Sequence, residues 1–191
     1  MNNMTRQTLT AIIGPMFSRK TTRLVELYDS LPEHTVGIFK PDMDNRYGVR
    51  TVGTHDGEVR DAIACKTSEE IMYSIGTNRL EVVLIDEAQF FDPRIVEVVD
   101  ERVNRGTKVY FTALNQNYTG RPFNFKNSAR NIGELIAAAD TVESRTAICD
   151  VCGGAATKTQ RLVGLEQEVL VGGAEVYTAR CVEHHSPRLR L

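Results

Sequence analysis

Three groups of residues in this 191-residue chain have types and spacings that support chemistry. The first is the run Gly14-Pro15-Met16-Phe17-Ser18-Arg19-Lys20-Thr21. It follows the phosphate-loop pattern G-x-x-x-x-G-K-[ST], in which backbone N–H groups cradle a β-phosphate. The lysine reaches the β- and γ-phosphates, and the hydroxyl meets Mg²⁺. The match fails only at Arg19, which stands where the second glycine belongs. Glycine there tolerates unusual φ and brings no Cβ against the phosphate. Arginine forfeits both advantages, although its guanidinium adds a cation. The loop is therefore expected to survive with weakened ATP binding or turnover. An eight-residue near-match can also arise by chance, and its context has to decide.

The second group supplies that context. Val82 to Ile85 is an unbroken apolar run, and Asp86-Glu87 follows at its carboxyl end. Such runs suit strands buried on both faces, whose carboxyl ends are where α/β folds place ligands. Asp86 can hold Mg²⁺ through water, and Glu87 is placed to accept a proton from an attacking hydroxyl. An acidic strand end facing solvent is the plainer reading of this pair alone; a phosphate loop in the same chain argues against it.

The third group is Cys149-x-x-Cys152 with Cys181-x-x-His184. Two such pairs can close a tetrahedral zinc site, and with all four positions filled by protein the ion is structural. A buried or redox-active cysteine pair is the alternative. His185 adjoins His184, and spacing favours His184. Cys65 reads as a buried apolar thiol.

These groups need elements to position them. Leu9–Ile13 reads as a strand, residues from Lys20 to Leu31 as a helix stopped by Pro32, and Thr35–Phe39 as a second strand. Residues 42–60 read as a loop or short hairpin. Asp92-Pro93 caps a helix carrying Ile95, Val98, Val99 and Val103, closed by Gly106, and Lys108–Leu114 is the next strand. Alternation of strand and helix predicts an α/β fold: a P-loop-type, mostly parallel sheet with helices on both faces. Beyond about residue 140, glycine doublets and short alternating runs (Arg161–Val163, Glu168–Val171, Val176–Ala179) indicate a small β-rich appendage. The expected division is 8–142 for a nucleotide-binding core and 143–185 for a zinc-bound module.

Composition narrows the partners. The chain is 41% hydrophobic and 25% charged with a net charge of −2. It lacks the global basic field of a nucleic-acid binder. No apolar run reaches the ~20 residues that span a bilayer. Neither nucleic acid nor membrane is expected as a partner, and the expected location is cytoplasmic.

Taken together, Gly14–Thr21 and Asp86-Glu87-Ala88-Gln89-Phe90-Phe91 closely resemble the two motifs of the thymidine kinase family that carries a zinc-bound lasso. The likeness continues through Lys40-Pro41-Asp42-Met43-Asp44-Asn45-Arg46-Tyr47, Thr54-His55-Asp56, Ala113-Leu114, Tyr118, Arg121-Pro122-Phe123 and Val171–Tyr177. It spans residues 9 to 184 in order. The resemblance implies phosphorylation of the thymidine 5′-hydroxyl by ATP with Mg²⁺, with Glu87 as base and Asp86 and Thr21 beside the metal. It adds Gln89 to the ATP set, Asp44 to the metal shell and Arg46 to phosphate charge stabilisation; alone, Asp44 and Arg46 read as a solvated loop pair. It implies a nucleoside site built from Met16, Phe90, Leu114, Tyr118, Phe123, Thr159, Leu170, Val171, Gly172 and Tyr177. A lasso between the zinc ligands would close over the base, so loss of the ion is expected to weaken nucleoside binding more than ATP binding. A homotetramer and feedback by dTTP are implied by the resemblance alone.

Besides Arg19, the family pattern is broken by Tyr118, where phenylalanine is usual, and Asn115, where aspartate is usual. Both bear on the width and polarity of the base pocket. Two other readings stay open at this point: a catalytically impaired P-loop nucleotide-binding protein, and a nucleic-acid-linked P-loop ATPase with a zinc ribbon.

Overall fold

The computed structural model describes residues 7–44, 48, 50–54, 57–163, 170 and 172–187. Arg46 and Val171, both assigned above, lie outside the described residues. In chain order the elements are β1 (Leu9–Ile13), α1 (Lys20–Asp29), β2 (Val36–Pro41), β3 (Thr51–Gly53), β4 (Val59–Asp61), β5 (Ile63–Cys65), α2 (Ser68–Asn78), β6 (Val82–Ile85), α3 (Ile95–Asn104), β7 (Lys108–Ala113), α4 (Ile132–Ala138) and β8 (Thr141–Ser144). Four short strands follow: β9 (Ala147–Ile148), β10 (Ala155–Ala156), β11 (Lys158–Arg161) and β12 (Tyr177–Arg180).

Six strands form one sheet in the order β5-β2-β6-β7-β1-β8, with every pairing parallel. Parallel sheets need both faces covered, and period-two alternation decides what each face meets. Leu9, Ala11, Phe39, Val83, Ile85, Val109 and Phe111 turn to one face, where they pack with Ile71 and Ile75 of α2, Ile95, Val99 and Val103 of α3, and Ile132 and Leu135 of α4. Ile12, Val36, Ile38, Val82 and Leu84 turn to the other, against Leu24 and Val25 of α1. The residues expected to be the buried stripe of the third helix are buried there. The 42–60 segment contributes β3 and β4, paired as an antiparallel hairpin.

Alternation also places the chemistry. Val82 and Leu84 face α1, so Asp86, two residues on, continues toward the side from which Thr21 comes. Tyr110 packs on that same face, and Thr112 follows it with the same period.

Asp92 joins two helix starts. Its carboxylate accepts the Ser68 N–H at 2.8 Å, the Ser68 hydroxyl at 2.7 Å and the Arg94 N–H at 3.1 Å. Burial pushes its pKa up, but the bonds from Ser68 and Arg94 outweigh burial and hold it below the ordinary value. A depressed carboxylate stabilises the fold above its unfolded pKa, and that contribution fades as pH falls through the folded value. Asp92→Ala should therefore cost about 1–2 kcal/mol at neutral pH. In thermal melts, the gap from wild type should narrow as both proteins are acidified.

The appendage consists of two antiparallel ladders, β9 with β10 and β11 with β12. The strand expected over Arg161–Val163 instead runs Lys158–Arg161. Arg161 ends it with its side chain inside, and Leu162 turns outward, 45% exposed. Of the run Glu168–Val171, only Leu170 lies within the described residues. The main sheet continues to Ser144, so β8 straddles the boundary expected at 142/143.

Candidate active site and metal-binding cluster

The phosphate loop joins β1 to α1, and two of its residues adopt left-handed backbone: Phe17 at φ 65° and Arg19 at φ 60°. Turns of this kind make anion-binding concavities from main-chain N–H groups. Arg19 (ψ 35°) thus takes up the conformation a glycine would supply, at a cost of roughly 1–2 kcal/mol for a residue with a Cβ. Gly14 is constrained differently: a Cβ there would lie 2.4 Å from the Arg145 carbonyl oxygen. Lys20 is buried, and its Nζ donates to the Pro15 carbonyl at 2.7 Å. Arg19→Gly should relieve the strain, and a few-fold lower KM for ATP or a higher kcat is the expected result. Steady-state kinetics with equal values for both proteins would reject the assignment.

A cavity runs along this loop, lined by Phe17–Thr22, by Lys40 and Asp44, by Thr51–Gly53 of β3, and by Asp86 and Glu87. Its sides carry two buried lysines, Lys20 and Lys40, and three buried carboxylates, Asp44, Asp86 and Glu87. Thr21 Oγ1 donates to the two Asp86 carboxylate oxygens at 3.2 and 3.3 Å. A hydroxyl converging with a carboxylate is an all-oxygen donor set that suits Mg²⁺.

Glu87 lies just past the end of β6 with left-handed backbone, φ 50° and ψ 49°. Its N–H donates to Thr112 Oγ1 at 2.9 Å, and its Oε2 accepts from Gln89 Nε2 at 2.6 Å. Gln89 in turn accepts the Leu114 N–H at 3.0 Å, which fixes the amide. Gln89 does not line the phosphate cavity; it orients the Glu87 carboxylate.

A second cavity, about 600 Å³ including space open to solvent, opens on the other side of Glu87. Met16, Phe90, Leu114, Tyr118, Phe123, Thr159, Leu170, Gly172 and Tyr177 all line it, as the resemblance implied for the nucleoside site. Met43, Gln116 and Asn117 also line it and were not anticipated. Phe90 and Phe123 meet edge to face, with ring centroids 5.4 Å apart. The Tyr118 ring has the Arg161 guanidinium stacked 3.9 Å from its centroid. Arg161 is only 1% exposed and donates to Tyr177 Oη at 3.0 Å, which itself donates to the Leu170 carbonyl at 2.9 Å. Met16, Asp44 and Glu87 border both cavities. The two cavities, one polar and charged and the other apolar and aromatic, thus share these three residues.

Beside it, the donor atoms of Cys149, Cys152, Cys181 and His184 all lie within 4.8 Å of one another. The separations are 3.8 Å for Cys152 Sγ to Cys181 Sγ, 3.7 Å for Cys149 Sγ to His184 Nδ1 and 3.1 Å for Cys181 Sγ to His184 Nδ1. Ligands ~2.3 Å from a tetrahedral zinc stand about 3.8 Å apart, so the four side chains fit that ion. Burial raises the Cys149 thiol, but N–H groups of Cys181, Cys152 and Val151 outweigh it and bring its pKa down to about 6. His185 faces elsewhere, its Nε2 2.9 Å from the Tyr118 carbonyl oxygen. Cys65 is buried in the main core, and its thiol is pushed up to about 12 by burial.

The module touches the phosphate loop directly. Phe17 packs on its small core of Ala147, Cys149, Ala156 and Ala179, and Thr159 Oγ1 accepts the Met16 N–H at 3.0 Å. Arg145 Nε donates to the Ser18 carbonyl at 3.2 Å.

The family profile described as thymidine kinase matches residues 7–185. The chain belongs to the thymidine kinase family. It is 38% identical over 189 residues to a thymidine kinase of Thermococcus kodakarensis, covering 93% of each chain. It is 37% identical to one of Deinococcus radiodurans, covering 90% of this chain and 86% of the relative, and 39% identical to one of Mycoplasma genitalium, covering 92% and 81%. In this member of the thymidine kinase family, phosphate-loop residues, Asp86, Glu87 and the aromatic residues line two cavities that share Met16, Asp44 and Glu87. Thr112, Arg145 and Arg161 were missed by sequence reasoning. None belongs to a contiguous motif, and the only local sign is a hydroxyl or a charge in a run otherwise apt for a strand.

Proposed function

We propose that this protein transfers the γ-phosphoryl group of ATP to the 5′-hydroxyl of thymidine, giving ADP and dTMP. One observation carries the reading: Glu87 borders both the loop cavity and the aromatic cavity. A hydroxyl presented from the aromatic side meets a carboxylate that also faces the phosphate side.

The main-chain N–H groups at the turn from Phe17 to Lys20 and the Lys20 ammonium hold the β- and γ-phosphates. Thr21 and Asp86, with Asp44 in the outer shell, would hold the Mg²⁺ that accompanies ATP, which neutralises charge on the β- and γ-oxygens. Glu87 takes the 5′-hydroxyl proton as the nucleoside oxygen bonds to the γ-phosphorus. The bond from that phosphorus to the β,γ-bridging oxygen breaks, and ADP leaves with the electron pair. Arg46 contributes its positive charge to phosphate stabilisation. The base lies among Phe90, Tyr118, Phe123 and Tyr177, where aromatic faces favour a planar ring. Leu170 and Gly172 close over it.

The four cysteine and histidine ligands would hold a structural zinc ion that ties down both ends of the lasso. We assign residues 8–142, extended by the end of β8 at Ser144, to the kinase core and the following residues to 185 to the lasso module. No helix among the described residues is long and apolar enough to cross a membrane. A cytoplasmic location, a homotetramer and feedback inhibition by dTTP complete the proposal on the strength of family membership.

A panel of nucleosides with γ-labelled ATP tests the reading. Label should move to thymidine, and ATP consumption should depend on the acceptor. Hydrolysis indifferent to nucleoside, or stimulated by DNA, would favour a P-loop ATPase instead.

A further inference from the structure

We infer that Thr112 is a positioning residue for the phosphoryl transfer, setting Asp86 and Glu87 at once through a single hydroxyl. Thr112 is the fifth residue of β7, wholly buried, on a strand whose neighbours Val109, Phe111 and Ala113 are apolar. Burying a hydroxyl without partners is costly, so its bonds explain its presence there. Its Oγ1 donates to Asp86 Oδ1 at 2.5 Å and accepts the Glu87 N–H at 2.9 Å.

Both partners need such a hold. Glu87 has left-handed backbone, which a residue with a Cβ adopts only where surrounding structure imposes it. The bond to its N–H fixes the peptide between Asp86 and Glu87, and hence the direction in which the Glu87 side chain leaves the strand. Gln89 then fixes the carboxylate itself. Asp86 also receives Thr21 Oγ1 at the longer distances of 3.2 and 3.3 Å. When Thr21 turns to a metal, the bond from Thr112 still holds the Asp86 carboxylate.

Thr112 lines neither the loop cavity nor the aromatic cavity. Its removal should therefore act on kcat and leave ground-state binding nearly alone. Misplacement of a reacting group by about 1 Å can cost on the order of 10²-fold in rate. Thr112→Val, which keeps the shape and loses the hydroxyl, should lower kcat by about 10- to 100-fold with little change in either KM. Thr112→Ala should do the same, and Thr112→Ser, which differs from it by one oxygen, should restore most of the rate.

The experiment is steady-state kinetics on the zinc-loaded full chain for these three variants and Glu87→Gln, with melts to establish folding. If Thr112→Val fails to fold, the alanine–serine pair carries the comparison. Equal kcat for the alanine and serine variants, or wild-type kcat in Thr112→Val, overturns the inference. A rise in KM with unchanged kcat overturns it too. Because it rests on Glu87 as the base, the Glu87→Gln arm separates the failures. An inactive Glu87→Gln beside fully active Thr112 variants removes only the positioning role. An active Glu87→Gln removes the base itself.

Discussion

Glu87→Gln is expected to lower kcat by about 10²- to 10⁴-fold, the span that removal of a general base commonly produces. The substitution is nearly isosteric, and the bond from Gln89 can be kept by the new amide oxygen. ATP binding, held by the loop and Lys20, should stay near wild type, and the KM for thymidine should move little. A rate pattern of this kind marks an interaction made mainly in the transition state. Steady-state kinetics under saturating ATP and thymidine measures it. A variant that turns over at a wild-type rate would remove Glu87 from the chemistry.

Removing zinc should have the second large effect. The module's own core is Ala147, Cys149, Ala156 and Ala179. At ~0.8 kcal/mol per buried methylene-sized group, four such side chains contribute about 3 kcal/mol. Ordering a residue costs roughly 1.5 kcal/mol, so this core cannot hold the module's strands and lasso without the ion. Structural zinc contributes on the order of 10 kcal/mol in small domains. Cys149→Ser, or chelation, should raise the KM for thymidine at least about tenfold, as expected where loops over a substrate lose their order. The effect should also reach ATP, but less strongly, because Phe17 packs on the module and Thr159 holds the Met16 N–H. Metal analysis, melts and separate KM values for the two substrates provide the check. Unchanged thymidine binding in metal-free protein would contradict it.

The parts of the site that could be read from the sequence are those whose chemistry lies in contiguous residues. A phosphate loop is made by successive backbone groups, so Gly14–Thr21 announces itself, and Asp86-Glu87 follows an apolar run that suits an inner strand. Cysteine spacing announces the metal cluster for the same reason. Thr112, Arg145 and Arg161 act through partners that the fold brings from far along the chain. Arginine is ordinarily a surface residue. Nothing local distinguishes Arg161, whose guanidinium lies under Tyr118, from the exposed Leu162 beside it. That is also why the strand expected over Arg161–Val163 is displaced: alternation suggested Arg161–Val163, whereas pairing with Tyr177–Arg180 selects Lys158–Arg161. Arg19 is the reverse case. The sequence marks it as an anomaly, and the left-handed backbone gives the anomaly a physical cost.

In the proposed reaction, phosphate donor and nucleoside acceptor occupy adjoining cavities, with Glu87 between them. A bisubstrate compound, thymidine joined through its 5′-oxygen to adenosine by a polyphosphate chain, tests this most directly. Inhibition competitive against both ATP and thymidine is the expected result. Thymidine or ATP still binding beside the bound compound would mean two separate sites, and the assignment of Glu87 as the shared carboxylate would fall.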